Sequence, residues 1–177
     1  YDSSDHLTSM VMPNGVIINY AYNNLGQLNS VTKDGVETIA TYTYTPKGMI
    51  DTLSFSTGIT TNYDYTDQGW LNSIITTPGI FLRYYEYDNV GNIITEKPSL
   101  IAEEITYQYD NQYRLKSALD STGGLYLGAR AIEYNYGNDL VGNRQSKTVV
   151  SGGGLGITSY TYYPGTNRLN TETTGSD

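Results

Sequence analysis

Two tyrosines separated by a single residue recur along this chain, at Tyr20/Tyr22, Tyr42/Tyr44, Tyr63/Tyr65, Tyr85/Tyr87, Tyr107/Tyr109, Tyr134/Tyr136 and Tyr160/Tyr162. The second members follow one another after 22, 21, 22, 22, 27 and 26 residues, and Tyr1 stands 21 residues ahead of Tyr22, where one more would fall. A regular interval of this length is the signature of a repeat architecture, in which one small unit is stacked many times. The pairs and Tyr1 account for 15 of the 19 tyrosines, so the aromatic bias of the composition is the repeat itself.

Residues two apart on an extended chain share a face, so each pair directs both rings to one side. The flanks are threonine, isoleucine and other strand formers, as in ETIATYTYT and GITTNYDYT, which predicts strands. After each pair comes turn chemistry ending in glycine, at Gly26, Gly48, Gly69, Gly91 and, with about two residues inserted after Tyr136, Gly142. In the sixth unit Tyr113 occupies the glycine position, which is strained wherever the backbone there is left-handed. A second run follows, such as Leu28-Asn29-Ser30-Val31, and reverses through Asn14-Gly15, Lys33-Asp34-Gly35 or Thr57-Gly58, of which Asn-Gly and Asp-Gly are the strongest short hairpin signals. The leucine-to-valine interval of three breaks strict alternation and predicts a bulge or a strong twist just past each glycine. The polar end, residues 170–177, is expected to fray.

The expected fold class is therefore all-β: an array of antiparallel β-hairpins built from repeats of about 22 residues, a single array of seven to eight units over residues 1–177. A lone hairpin does not hold itself together, so each unit has to pack on its neighbours, with the tyrosines in register as a ladder along a twisted sheet. Tyrosine suits such half-buried surfaces because its ring packs while its hydroxyl finds a partner. The open first and last strands are expected to be sticky. The opening Tyr1-Asp2 falls in mid-motif, which points to a piece of a much larger protein.

Lysine plus arginine number 10 and aspartate plus glutamate 18, a net charge of −8 without a basic cluster, which argues against nucleic acid and anionic membranes as partners. There is no cysteine, so disulfides and thiolate metal sites are excluded, and no apolar run approaches a membrane span. No catalytic constellation is visible and no cofactor or metal is expected. His6 is the only histidine and reads as a solvated turn residue. Glu103 and Glu104 would point to opposite faces of a strand. The glycines at 152–154 lack the lysine and helix start of a phosphate loop and read as a hairpin tip. Asp67, Asp88 and Asp110 recur at repeat spacing and read as turn caps rather than a calcium ladder. Trp70, Tyr84, Tyr113 and Tyr126 fall outside the repeat phase and are the candidates for contact with a ligand or partner.

The stretches YEYDNVGNIIT (85–95), YQYDNQYRLKS (107–117), GNRQSKT (142–148) and YTYYPGTNRL (160–169) resemble the tyrosine-aspartate (YD) repeats of the Rhs family, which includes bacterial polymorphic toxins, shell components of insecticidal toxin complexes and the animal teneurins. The acid after the pair is kept at Asp88 and Asp110, with Tyr1-Asp2 at the start; elsewhere the position holds Asn23, Thr45, Thr66, Gly137 or Tyr163. The resemblance implies a β-sheet strip that spirals into a hollow shell around a C-terminal toxin domain, in a secreted or cell-surface, bacterial protein. Its partners would be neighbouring repeats and an enclosed toxin domain, and its role structural and non-enzymatic. The alternative is an adhesin-like module that binds surface carbohydrate or protein through tyrosine-rich faces.

Overall fold

The computed structural model describes residues 1–79, 81–98, 104–123, 128–137, 139 and 141–176. Tyr126 and Glu103 lie outside the described residues. The fold is all-β, with fifteen strands in one open antiparallel sheet whose strand order is chain order, and no helix among the described residues. Two compact units divide the chain, Tyr1–Arg83 and Tyr84–Asp177.

The first unit holds β1 (Ser9–Val11), β2 (Ile17–Tyr22), β3 (Leu28–Lys33), β4 (Glu37–Tyr44), β5 (Ile50–Phe55), β6 (Thr60–Tyr65) and β7 (Leu71–Thr77). Strand β8 (Phe81–Tyr87) begins in the first unit and carries its tyrosines in the second. The second unit continues with β9 (Ile93–Lys97), β10 (Ile105–Tyr109), β11 (Leu115–Asp120), β12 (Ala131–Asn135), β13 (Ser146–Ser151), β14 (Gly154–Tyr162) and β15 (Leu169–Ser176). Even-numbered strands from β2 to β14 carry the tyrosine pairs, Tyr136 lying one residue past the end of β12, and the odd ones return. The C-terminal stretch expected to fray is instead strand β15, paired with β14 from Tyr162↔Leu169 to Gly156↔Ser176. Its threonines explain the difference: Thr171 and Thr174 meet Thr161 and Thr158 hydroxyl to hydroxyl, at 2.6 and 3.1 Å.

The loops after the first five pairs are built one way. In the first complete unit the Asn23 N–H donates to the Gln27 carbonyl (2.8 Å) and the Gly26 N–H to the Asn23 carbonyl (3.0 Å). The same two bonds join Thr45, Met49 and Gly48; Thr66, Trp70 and Gly69; Asp88, Asn92 and Gly91; and Asp110, Arg114 and Tyr113. This is a tight turn followed by one left-handed residue, a conformation that glycine adopts without a Cβ clash. Accordingly Gly26, Gly48, Gly69, Gly91 and Gly142 have φ between 74° and 96°. Tyr113 adopts the same region at φ 59°, and Asp5 does so at 61° in the loop that follows Tyr1.

The bulge lies where the interval of three placed it. Pairing slips by one residue between Ala21↔Ser30 and Tyr22↔Leu28, and likewise before Tyr44, Tyr65, Tyr87, Tyr109 and Tyr162. The surplus residue falls on the return strand at Asn29, Asp51, Asn72, Ile94, Lys116 and Asn170. In β12–β13, where the loop carries the insertion, the pairing from Ala131↔Val150 to Asn135↔Ser146 runs without a slip.

No large side chain is fully buried among the described residues; the buried apolar residues are Ala40, Ile105, Ala118 and Ala129. Packing is thus spread over half-covered rings and aliphatics, the surface to which tyrosine is suited.

Candidate functional site: the tyrosine ladder and the loop row

Directly opposed residues on antiparallel strands carry their side chains on one face. The first tyrosine of a pair stands opposite an aliphatic residue of its return strand at Tyr20↔Val31, Tyr42↔Leu53, Tyr63↔Ile74 and Tyr107↔Ala118. Three pairs depart from this, at Tyr85↔Glu96, Tyr134↔Lys147 and Tyr160↔Glu172. Glu96 also accepts the Tyr107 hydroxyl at 3.0 Å. Burial, and then the adjacent Glu96 carboxylate, raise the Tyr107 phenol above its ordinary pKa.

The second tyrosine behaves differently. Its hydroxyl reaches back to the preceding hairpin and donates to a main-chain carbonyl: Tyr22 to Leu7 (2.9 Å), Tyr44 to Leu28 (2.6 Å), Tyr65 to Ile50 (2.9 Å), Tyr109 to Ile93 (2.8 Å), Tyr136 to Leu115 (3.1 Å) and Tyr162 to Arg144 (3.0 Å). The offset is constant. Between β3 and β4 the last ladder pair is Ser30↔Thr41, and the acceptor Leu28 lies two residues before Ser30 while Tyr44 lies three after Thr41. The same two and three residues separate each donor and acceptor from Ser9↔Asn19, Thr52↔Asn62, Thr95↔Thr106, Ser117↔Glu133 and Ser146↔Ser159. The ladder opens at that point, and the hydroxyl takes the carbonyl that would otherwise lose its strand partner. Burial raises the phenol pKa of Tyr44, Tyr65, Tyr87 and Tyr109.

A second row runs through the loops. The residue that closes each loop is chemically varied: His6, Gln27, Met49, Trp70, Asn92, Arg114, Asn143 and Arg168. In the first unit the His6 ring stacks on Tyr22 with centroids 4.6 Å apart and lies 3.2 Å from where a Cβ on Gly26 would sit. It also bonds Asp2 at 3.0 Å, so this turn residue packs through its ring while 33% of its side chain stays open to solvent. Gln27 Nε2 donates to the Gly48 carbonyl (3.1 Å), and the Met49 sulfur lies 3.8 Å from the Cβ position of Gly69. In the second unit Arg114 Nη1 donates to the Asp139 carbonyl (2.6 Å), and Asn143 Nδ2 to Asn167 Oδ1 (3.1 Å). At these five places a loop is thus tied to the next by the side chain at its closing position. Because residue type at this position varies from unit to unit, only the position after glycine could have revealed it.

Arginine adds to this in the second unit. The guanidinium of Arg114 lies 4.2 Å from the centroid of Tyr136 while Nε bonds Asp110 at 2.6 Å, and Arg144 lies over Tyr134 and Tyr160 at 5.1 and 5.7 Å. The loop acids act as caps: Asp88 Oδ1 accepts the N–H groups of Val90 and Asn92, Asp110 those of Gln112 and Arg114, and Asp139 those of Val141 and Asn143. Asp139 thereby performs, past the insertion, the task that Asp88 performs directly after its pair.

The residues singled out for ligand contact are not gathered at one place. Trp70 occupies the loop-closing position, its main-chain N–H donating to the Thr66 hydroxyl oxygen at 3.1 Å. Tyr84 is half-buried opposite Lys97, on the face away from Tyr85 and Tyr87. Tyr113 is 61% exposed in its left-handed loop position. The concave places are open grooves beside successive loops, such as one of about 570 Å³ lined by Tyr42, Tyr44, Gln27 and Lys47. Among the described residues no three His, Asp or Glu side chains come together as a metal site.

An open sheet of tyrosine-bearing hairpins defines a repeat protein, and solved structures share its fold. The crystal structures of TcdB2-TccC3-Cdc42 and of TcdB2-TccC3 without its hypervariable C-terminal region each superpose with a TM-score of 0.79 at 24% identity, over 96% of this chain and 10% of theirs. A Photorhabdus luminescens Tc holotoxin pore superposes with a TM-score of 0.77 at 23% identity, over 98% of this chain and 10% of that one. The chain therefore spans about a tenth of the length of the chains it matches. No protein-family model and no curated protein matches it.

Proposed function

We propose that this chain is a structural, non-enzymatic stretch of wall in an Rhs-type YD-repeat shell, working as a single array whose immediate partners are further repeats of a secreted or cell-surface bacterial protein. In this reading the shell encloses or presents a C-terminal toxin domain. The observation that carries the proposal is the constant offset of six tyrosine hydroxyl bonds, each spent on binding one hairpin to the one before. Rings so committed act as mortar, and the fold shared with Tc toxin chains supports a wall rather than a binding platform.

Electron cryomicroscopy of the longer protein tests this. The expected image continues the hairpins on both sides of residues 1–177 around an enclosed density; a segment standing apart as a separate lobe would overturn the reading. On a glycan array the chain is expected to give no saturable signal. Binding abolished by Tyr84→Ala or Tyr113→Ala would replace the wall with the adhesin alternative.

A further inference from the structure

Two positions of the ladder carry aliphatic residues in most units. The residue that opens the return strand and the one three further on stand opposite the two tyrosines, as Leu28 and Val31 do for Tyr22 and Tyr20, and Leu71 and Ile74 for Tyr65 and Tyr63. In the β12–β13 hairpin both positions hold cations. Lys147 stands opposite Tyr134, and Arg144, three residues earlier, offers its main-chain carbonyl to the Tyr162 hydroxyl as Leu28 does to Tyr44. The Arg144 guanidinium lies over the rings of Tyr134 and Tyr160, so both cations share the tyrosine face. Strand β13 is paired on both sides, which places them within the sheet and not at its edge. Three other cations of this acidic chain meet a carboxylate, Lys33 at Glu37, Lys97 at Glu86 and Arg114 at Asp110. Among the described residues no carboxylate pairs with Arg144 or Lys147, although Glu172 stands on the same face opposite Tyr160.

We infer that Arg144 and Lys147 form a binding site for an acidic peptide segment laid against the tyrosine face. Exchanging two aliphatics for two cations gives up apolar contact within the ladder, and an acidic partner is what recovers the loss. Arg144 is exposed, and the rings beneath its guanidinium steady it while its N–H edge stays open to a carboxylate, which it takes with two parallel bonds. The Lys147 ammonium takes a neighbouring acid as a point charge. Nucleic acid fits less well, because the net charge of −8 repels a polyphosphate along its length. A short acidic segment needs only the local field of the two cations, within a Debye length of about 8 Å. The inference rests on the ladder positions alone, and stands whether or not the segment serves as a shell wall.

The test uses the whole chain and a fluorescent oligoglutamate peptide at low salt. Saturable binding by anisotropy is expected, weakened about ten-fold by Arg144→Gln and about three-fold by Lys147→Gln. Arg144→Lys keeps the charge without the fork, and its affinity is expected to fall between those of the unchanged chain and Arg144→Gln. Lys33→Gln removes the same charge from the first unit and is expected to leave binding unchanged. The Tyr162 bond ends on the main chain of Arg144, so the side-chain substitutions spare it, and an unchanged circular dichroism spectrum is expected for each variant. Inorganic phosphate is expected to displace the peptide no better than chloride at the same ionic strength. Absence of binding, equal affinity of the Arg144→Gln chain, or equal weakening by Lys33→Gln would each overturn the inference. Saturable binding of phosphate in place of the peptide would overturn the choice of an acidic peptide.

Discussion

Removing one oxygen atom at Tyr44 separates its two tasks. Its ring packs as the other ladder rings do, while its hydroxyl makes the shortest of the six carbonyl contacts, 2.6 Å to Leu28, in a partly buried setting. Tyr44→Phe keeps the ring and leaves that carbonyl at the point where β3 and β4 part. One such bond contributes about 1 kcal/mol net, with a further cost where the orphaned carbonyl stays away from water. For a chain of this size that corresponds to a fall in Tm of about 2–4 °C per kcal/mol. Tyr42, opposite Leu53 on the same face, supplies the control, because no hydroxyl bond from it to a carbonyl is present among the described residues; Tyr42→Phe is expected to stay within about 0.5 kcal/mol. Tyr65 lies between, since its contact to Ile50 is exposed and water can replace the hydroxyl. Urea unfolding followed by far-ultraviolet circular dichroism ranks the three. Equal losses at Tyr42 and Tyr44, or no loss at Tyr44, would refute the idea that the second tyrosine joins hairpins through its oxygen.

Three other perturbations follow from the same geometry. Tyr113→Gly relieves about 1–2 kcal/mol of left-handed strain at φ 59° and gives back about 0.5–1 kcal/mol in unfolded-chain entropy, so a net gain of about 0–1.5 kcal/mol is expected from urea unfolding; a loss would show that the exposed ring has a packing role. Arg114→Lys keeps the charge but gives up the fork that joins Asp110 and the Asp139 carbonyl and the stacking on Tyr136, and is expected to cost about 1–2 kcal/mol, measured the same way. Because burial raises the phenol pKa of Tyr44, Tyr65, Tyr87, Tyr107 and Tyr109, their contribution is complete below the ordinary value of 10.0 and declines as the pH climbs past it toward the folded values. Tyrosinate absorbance in a pH titration should therefore rise together with loss of strand signal, and tyrosinate formed well ahead of unfolding would contradict this.

Much of the fold was written in spacing that a reader can see. Tyr-x-Tyr, the late glycine and the three-residue step from Leu28 to Val31 are local patterns, and they mark strand, turn and bulge because each depends on residues close in sequence. What spacing cannot carry is the partner of a side chain. Nothing near Tyr44 names Leu28, 16 residues earlier, because that contact follows from the stacking of hairpins. The loop row was hidden for another reason: Gln27, Met49 and Arg114 share a position and a reach without sharing a chemistry. At Asp139 the two-residue insertion disguised the cap, since the acid no longer follows its tyrosine directly. The end of the chain misled through its polarity, where threonine pairs across β14 and β15 did the work usually given to aliphatics.

The carbonyl contacts span 15 to 21 residues of sequence and still close at 2.6–3.1 Å. Three residues of sequence separate β3 from β4 and ten separate β11 from β12, and the tyrosine reaches its carbonyl in both cases. One margin of the sheet therefore keeps time while the opposite margin is free to grow. New sequence entering at those far turns, whether an epitope, a sensor or a whole folded insert, would leave the coupling between hairpins untouched, and a protein of this build can diversify along one border without renegotiating its stability at the other.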